Sequence, residues 1–328
     1  LGRAVAVKVI HDVVADDDAR ARFDREAKAL ALVRHPGVVQ VLDVCAEHGQ
    51  PPAIVMELLD GQSLRARIDR YGAMPIAEVA RVSRDLFAAL AAAHAAGIVH
   101  RDLKPANVFL ADTGASVAVK ILDFGLAKLS SATALTETGA QVGTPAYMPP
   151  EVMRGVPGDV RGDVYSAGCI VYEMLTGARV FAGKKSGDLY LAIRDEMPTP
   201  IAALRPDAPA PLVAFVERAM AKRPEDRFPT AEAALAAVAA LALDGSLSRI
   251  STRIPVEAPT VGETEPVVRS GSRSGSRSGT RSRSARRRSR APWIAIGAVM
   301  LGAPLVTAGV TAVVMRGRPK TTLADVAP

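Results

Sequence analysis

Two short runs, His100-Arg101-Asp102-Leu103-Lys104-Pro105-Ala106-Asn107 and Asp123-Phe124-Gly125, bring together a carboxylate, an ammonium, an amide and a second carboxylate. These side chains suit phosphoryl transfer. Asp102 can accept the proton of an attacking hydroxyl, and Lys104 can neutralise charge on a phosphate in transit. Asn107 and Asp123 offer the oxygen donors that a hard cation such as Mg²⁺ prefers.

The segments around these groups have the periodicities of elements able to hold them. In Ala4-Val5-Ala6-Val7-Lys8-Val9-Ile10 the side chains alternate, so Ala4, Ala6 and Lys8 share one strand face and Val5, Val7 and Val9 the other. The face of small side chains suits a flat ligand. Phe23, Glu26, Leu30 and Val33 follow at spacings of three, four and three, a helical stripe that carries one carboxylate. A carboxylate on an apolar stripe needs a partner. Val55-Met56-Glu57-Leu58 predicts another strand. Residues 76–96 predict a long helix with Val79, Val82, Leu86, Leu90 and Ala93 in its stripe and Gly97 as its stop, a rigid platform for the loop that carries Asp102.

In order and spacing these motifs resemble those of the eukaryotic-like (Hanks-type) bacterial Ser/Thr protein kinases. The pieces that carry the likeness are Ala6-Val7-Lys8, Glu26, the strand into a hinge at Glu57, the two runs above, and Gly143-Thr144-Pro145-Ala146-Tyr147-Met148-Pro149-Pro150-Glu151. The resemblance implies an α+β, bilobal protein-kinase fold over residues 1–244. A partial N-lobe would occupy 1–60 and a mainly helical C-lobe 61–244. It also implies ATP and Mg²⁺ as cofactors and protein Ser/Thr hydroxyls as substrates. Asp102 would be the base, Lys104 the charge-neutraliser, and Asn107 and Asp123 the metal ligands. Ala6 would roof the adenine, Phe109 would floor it, and Glu57 and Leu59 would meet it along the hinge. Lys8 would reach the phosphates and pair with Glu26. His100 would pack on Phe124, Asp163 would anchor the catalytic loop from below, and Glu151 would pair with Arg227. Pro149-Pro150-Glu151 departs slightly from the family's Ala-Pro-Glu. Lys104 and Thr144 look like the Ser/Thr class. The chain opens at the Lys8 strand, with no Gly-x-Gly-x-x-Gly run before it, and reads as a kinase without its first two strands.

Ser130, Ser131, Thr133, Thr136 and Thr138 lie where such kinases carry an activation loop, and Arg101 offers a phosphate there a cation. Cys45 and Cys169 are the two cysteines, in runs that read as core, and they suit a reducing compartment. The net charge of +7 is unevenly spread. Residues 249–328 hold 14 Lys and Arg against 4 Asp and Glu, a net +10, which leaves −3 for residues 1–248.

Residues 245–291 are rich in Ser, Arg, Gly and Pro and poor in apolar side chains, which predicts a disordered juxtamembrane linker. Residues 292–315 fall in a 25-residue uncharged interval and predict one transmembrane helix. Eight Arg between Arg273 and Arg290 precede this span, against Arg316, Arg318 and Lys320 after it. That asymmetry places the kinase domain on the cytoplasmic side of the cell membrane and residues 316–328 in a short extracytoplasmic tail. Anionic lipid head groups explain the basic run better than nucleic acid, so no nucleic-acid partner is expected. A homodimer is kept open. Two other classes of reading are a catalytically silent pseudokinase scaffold and an RNA-associated protein that uses the Arg/Ser tail.

Overall fold

The computed structural model describes residues 4–10, 17–45, 51–124, 145–184 and 186–243. The 125–144 segment with its Ser and Thr residues, the linker, the span and the tail all lie outside the described residues. No helix among the described residues is long and apolar enough to cross a membrane.

The first region holds strand β1 (Val5–Val9), helix α1 (Asp17–Leu32), and strands β2 (Val41–Cys45) and β3 (Ala53–Glu57). The strands form an antiparallel sheet in the order β1-β3-β2, with Lys8 opposite Ile54 and Ala6 opposite Met56. Phe23, Ala27 and Leu30 of α1 are buried, as the helical stripe requires.

Residues 58–60 cross to a second antiparallel sheet, ordered β4 (Gly61–Ser63), β5 (Val108–Asp112), β6 (Val117–Ile121). The turn between β5 and β6 is closed by Asp112, which accepts the Gly114 amide at 2.7 Å, and by Thr113 Oγ1, which accepts the Ser116 amide at 3.1 Å. Helix α2 (Leu64–Tyr71) starts on Ser63, whose hydroxyl accepts the Ala66 amide at 3.2 Å.

Helix α3 (Ile76–Ala95) follows with the buried stripe predicted for it, and Gly97 leaves its end at φ +77°. The rest is helical: α4 (Pro150–Met153), α5 (Val160–Thr176), α6 (Ser186–Asp195), α7 (Ile201–Leu204), α8 (Ala210–Ala219) and α9 (Ala231–Leu243).

Helix α5 is buried on every side from Gly162 to Leu175, because α3, α8 and α9 pack around it. Gly168 permits the approach of α8, since a Cβ there would sit 3.0 Å from that of Ala219. Phe87, Phe215 and Phe228 stack in the same core, with the Phe87 and Phe215 rings edge-on at 5.5 Å. Each such ring contributes about 1.5–3 kcal/mol through burial.

Candidate active site

The loop that carries Asp102 is held from below by one carboxylate. Asp163, on the first turn of α5, accepts the His100 amide at 2.6 Å, the Arg101 amide at 2.9 Å and the ring of His94 at 2.9 Å. A carboxylate with several N–H donors is a strong anchor, which suits a loop whose Arg101 is bent to φ +61°. His100 is fully buried and packs on Phe124, ring centroids 4.8 Å apart. Its Nε2–H donates to the Leu122 carbonyl at 2.9 Å and its Nδ1 accepts the Asp102 amide at 3.2 Å. That pattern fixes the neutral tautomer, and burial holds its pKa below the usual histidine value. His100 therefore has the packing role implied for it.

Above this base, Lys104 Nζ meets Asp102 Oδ2 at 2.8 Å. Asn107 is buried, and its Nδ2 donates to the Asp102 carbonyl at 2.9 Å. The Leu122 amide donates to the Asn107 carbonyl at 2.8 Å, which brings Asn107 beside the turn that carries Asp123. Asp123 stands at φ +50°, a strained conformation for a non-glycine residue. The four residues singled out for chemistry thus come from one loop and one strand end.

Lys8 points to this cluster across the face predicted for it, with its Nζ 2.8 Å from Asp123 Oδ1. Behind the pair lies an apolar cavity bordered by Leu30, Ile54, Met56 and Phe124. The implied Lys8–Glu26 pair is not formed. Glu26 faces Arg101 instead, Oε1 to Nη1 3.8 Å, with the two side chains 34% and 45% exposed. The physical reason is competition: Asp123 already satisfies the ammonium, and α1 leaves Glu26 within reach of the guanidinium preceding Asp102. Burial pushes the Glu26 carboxyl up, against the lowering pull of Arg101 and Arg25.

Ala6 shares the Lys8 face of β1, Phe109 lies on β5 opposite Lys120, and Leu59 lies in the crossing between the sheets. The implied Glu151–Arg227 pair is present and bidentate, at 2.8 and 2.7 Å. Arg227 also donates to the carbonyls of Ala221, Arg161 and Lys222. Cys169 is buried, its thiol pushed up to about 12 and hence inert.

The sequence reading missed three residues. His94 supports Asp163 from the last turn of α3, one residue before the helix end. Lys120 pairs with Glu57 at 2.5 Å, and its only local sign was a charge between the buried Val119 and Ile121. Glu173, buried on α5, accepts from Arg65 at 2.6 Å and from the Tyr147 hydroxyl, joining α2, α5 and the segment after residue 144. No spacing links those positions in the chain.

The model of the protein kinase domain family matches residues 1–238. A probable serine/threonine-protein kinase of Corynebacterium efficiens is 40% identical over 274 residues, 80% of this chain and 41% of the relative. Serine/threonine-protein kinase PknB of Mycobacterium tuberculosis is 39% identical over 268 residues, 80% of this chain and 41% of PknB. The chain thus spans about two fifths of the length of these relatives. Among solved structures, the kinase domain of Mycobacterium tuberculosis PknI superposes with a TM-score of 0.57 at 29% identity, over 72% of this chain and 85% of that one. A structure of Rad53 in complex with AMP-PNP gives 0.55, also at 29% identity, over 65% and 53%. With the Asp102, Lys104 and Asn107 loop seated on Asp163 and a family match across most of its length, this chain belongs to the protein kinase family.

Proposed function

We propose that this chain transfers the γ-phosphoryl group of MgATP to Ser or Thr hydroxyls of proteins, and that it works tethered to a membrane. The observation that carries the reading is the Asp102–Lys104 contact at 2.8 Å, with Asn107 locked to the Asp102 carbonyl. Asp102 orients the incoming hydroxyl and takes its proton. Lys104 meets the charge that builds on the phosphoryl oxygens from a position already fixed, so little reorganisation is needed as the reaction proceeds. The oxygen donors of Asn107 and Asp123, neighbours through the Leu122 amide, fit a hard cation and would hold Mg²⁺, which when bound neutralises phosphate charge. Lys8 would exchange Asp123 for the nucleotide's phosphates. The AMP-PNP held by Rad53 supports a nucleotide of the ATP type.

Membrane attachment rests on the uncharged interval 291–315 and the eight Arg that precede it. A kinase side in the cytoplasm meets both ATP and anionic head groups there.

A second reading, a scaffold that binds without transferring phosphate, draws on the Lys8–Asp123 and Glu26–Arg101 pairs, which engage both partners of the implied ion pair elsewhere. Phosphate incorporation from labelled MgATP separates the two. The parent chain should label itself or a generic protein substrate, and Asp123→Ala should reduce labelling to background. Undiminished labelling in that variant overturns the catalytic assignment, and an unlabelled parent favours the scaffold. For the membrane, the full chain should need detergent for extraction. Release by alkaline carbonate alone refutes the span.

A further inference from the structure

Glu57 closes β3, and its side chain reaches beyond its own strand in two directions. Its Oε1 accepts the Gln40 amide at 2.8 Å and the Lys120 ammonium at 2.5 Å, while its own amide donates to the Gln40 carbonyl at 3.0 Å. Gln40 immediately precedes β2 in the first sheet, and Lys120 stands on β6 in the second. One carboxylate oxygen therefore joins the two sheets at the point where the chain crosses between them.

The far end of the crossing is fixed separately, by the Asp112 amide donating to the Asp60 carbonyl at 2.9 Å. The ground on which Lys120 stands is also firm. Its neighbour Ile121 donates to the Gly37 carbonyl at 2.8 Å and accepts the Val39 amide at 3.1 Å. Leu58 and Leu59 thus run between two anchored residues, and the anchor at Glu57 depends on a charge supplied from the other sheet.

The Lys120 and Glu57 side chains are 16% and 24% exposed, so salt screens their attraction less than that of an open surface pair. Lys120 lies directly across the ladder from Phe109, and cross-strand partners share a face, so the ammonium and the ring implied to floor the adenine belong to one side of the second sheet. We propose that Lys120 is a positioning residue for the nucleotide: by holding Glu57 it fixes the crossing at residues 57–60, where Glu57 and Leu59 are implied to meet the base. This rests on the kinase reading above. Lys120 touches no reacting atom and acts through Glu57.

The test compares the full chain with Lys120→Met, Lys120→Arg, and Lys120→Met combined with Glu57→Gln. In the Met variant the KM for MgATP should rise about fivefold, with kcat at saturating nucleotide held within about twofold, because a partly covered ion pair acts on binding and not on the barrier. Lys120→Arg keeps the cation and should return KM to the parent value. Adding Glu57→Gln to the Met variant should cost nothing further, since the coupled partner is already gone. Amide exchange in the nucleotide-free protein reads the latch on its own: Gln40 should exchange faster in the Met variant than in the parent. Unchanged KM and unchanged Gln40 exchange overturn the proposal. So does an Arg variant as impaired as the Met one, which would assign the effect to packing of the stem. A parent that binds no MgATP refutes the kinase reading instead, and the exchange measurement then decides the latch.

Discussion

Two ion-pair systems in this protein use the same residue types to opposite ends. At the start of α5, Arg227 is wholly enclosed and shares two hydrogen bonds with Glu151, and three backbone carbonyls take its remaining donors. At the mouth of the site, Lys8, Asp123, Glu26 and Arg101 are partly open to water, and the Glu26–Arg101 contact is stretched to 3.8 Å. A buried pair with every donor met has no cheap alternative, because separating it strands a charge. An open pair such as Glu26–Arg101 can exchange partners at little cost, because water and neighbouring ions replace what is lost. The first system fixes the platform. The second leaves Glu26 and Arg101 able to change partners, while Lys8 and Asp123 form a closer, partly covered pair beside them.

Breaking the buried pair should have the largest effect. Arg227→Met leaves Glu151 without its cation and should lower unfolding stability by about 3–5 kcal/mol, read from chemical denaturation at neutral pH. A loss below 1 kcal/mol, about the ceiling for surface pairs, would erase the contrast.

The second test uses pH. The folded-state pKa of His100 lies below its ordinary value near 6.5 through burial, so the unfolded chain binds the proton first as the solution is acidified. The stability this neutral imidazole contributes is present above pH 6.5 and is lost as pH falls below it towards the depressed pKa, by at most about 1.4 kcal/mol per pH unit for one group. Ring resonances followed by NMR should show His100 still neutral where exposed histidines are half protonated. A titration midpoint at the ordinary value would mean the platform admits water.

The smallest effect belongs at the mouth. Glu26→Gln should leave stability within about 0.5 kcal/mol at neutral pH, since its partner Arg101 is itself 45% exposed. The sign of its pH dependence is set by a carboxyl pushed upward: the protonated form is favoured in the fold, so Glu26 opposes folding increasingly as pH rises from the ordinary value of 4.5. The Gln variant should therefore gain on the parent across that rise in thermal melts. A variant that instead loses several kcal/mol would show that Glu26–Arg101 is as fixed as Glu151–Arg227.

Much of the site was legible because its parts are local. Asp102, Lys104 and Asn107 lie within one loop, Asp123 ends the next hairpin, and period-two alternation placed Lys8 on the face it occupies. The stripe of α3 and its stop at Gly97 were likewise written in residues a few positions apart. The resemblance carried the long-range pairs His100–Phe124, Asp163 with the loop, and Glu151–Arg227, none of which periodicity can supply.

What the sequence determined by itself is the set of chemical groups, their order and the local elements that carry them, because helix and strand periods act over a handful of neighbours. The uneven charge and the uncharged interval before Arg316 belong to the same class of information. Tertiary structure decided the partners. Lys8 took Asp123 and not Glu26, Lys120 found Glu57, and Arg65 found Glu173, because an ion pair forms with whatever opposite charge the packed elements bring within about 4 Å, and that distance is set by the placement of α1, β6 and α5, not by position along the chain.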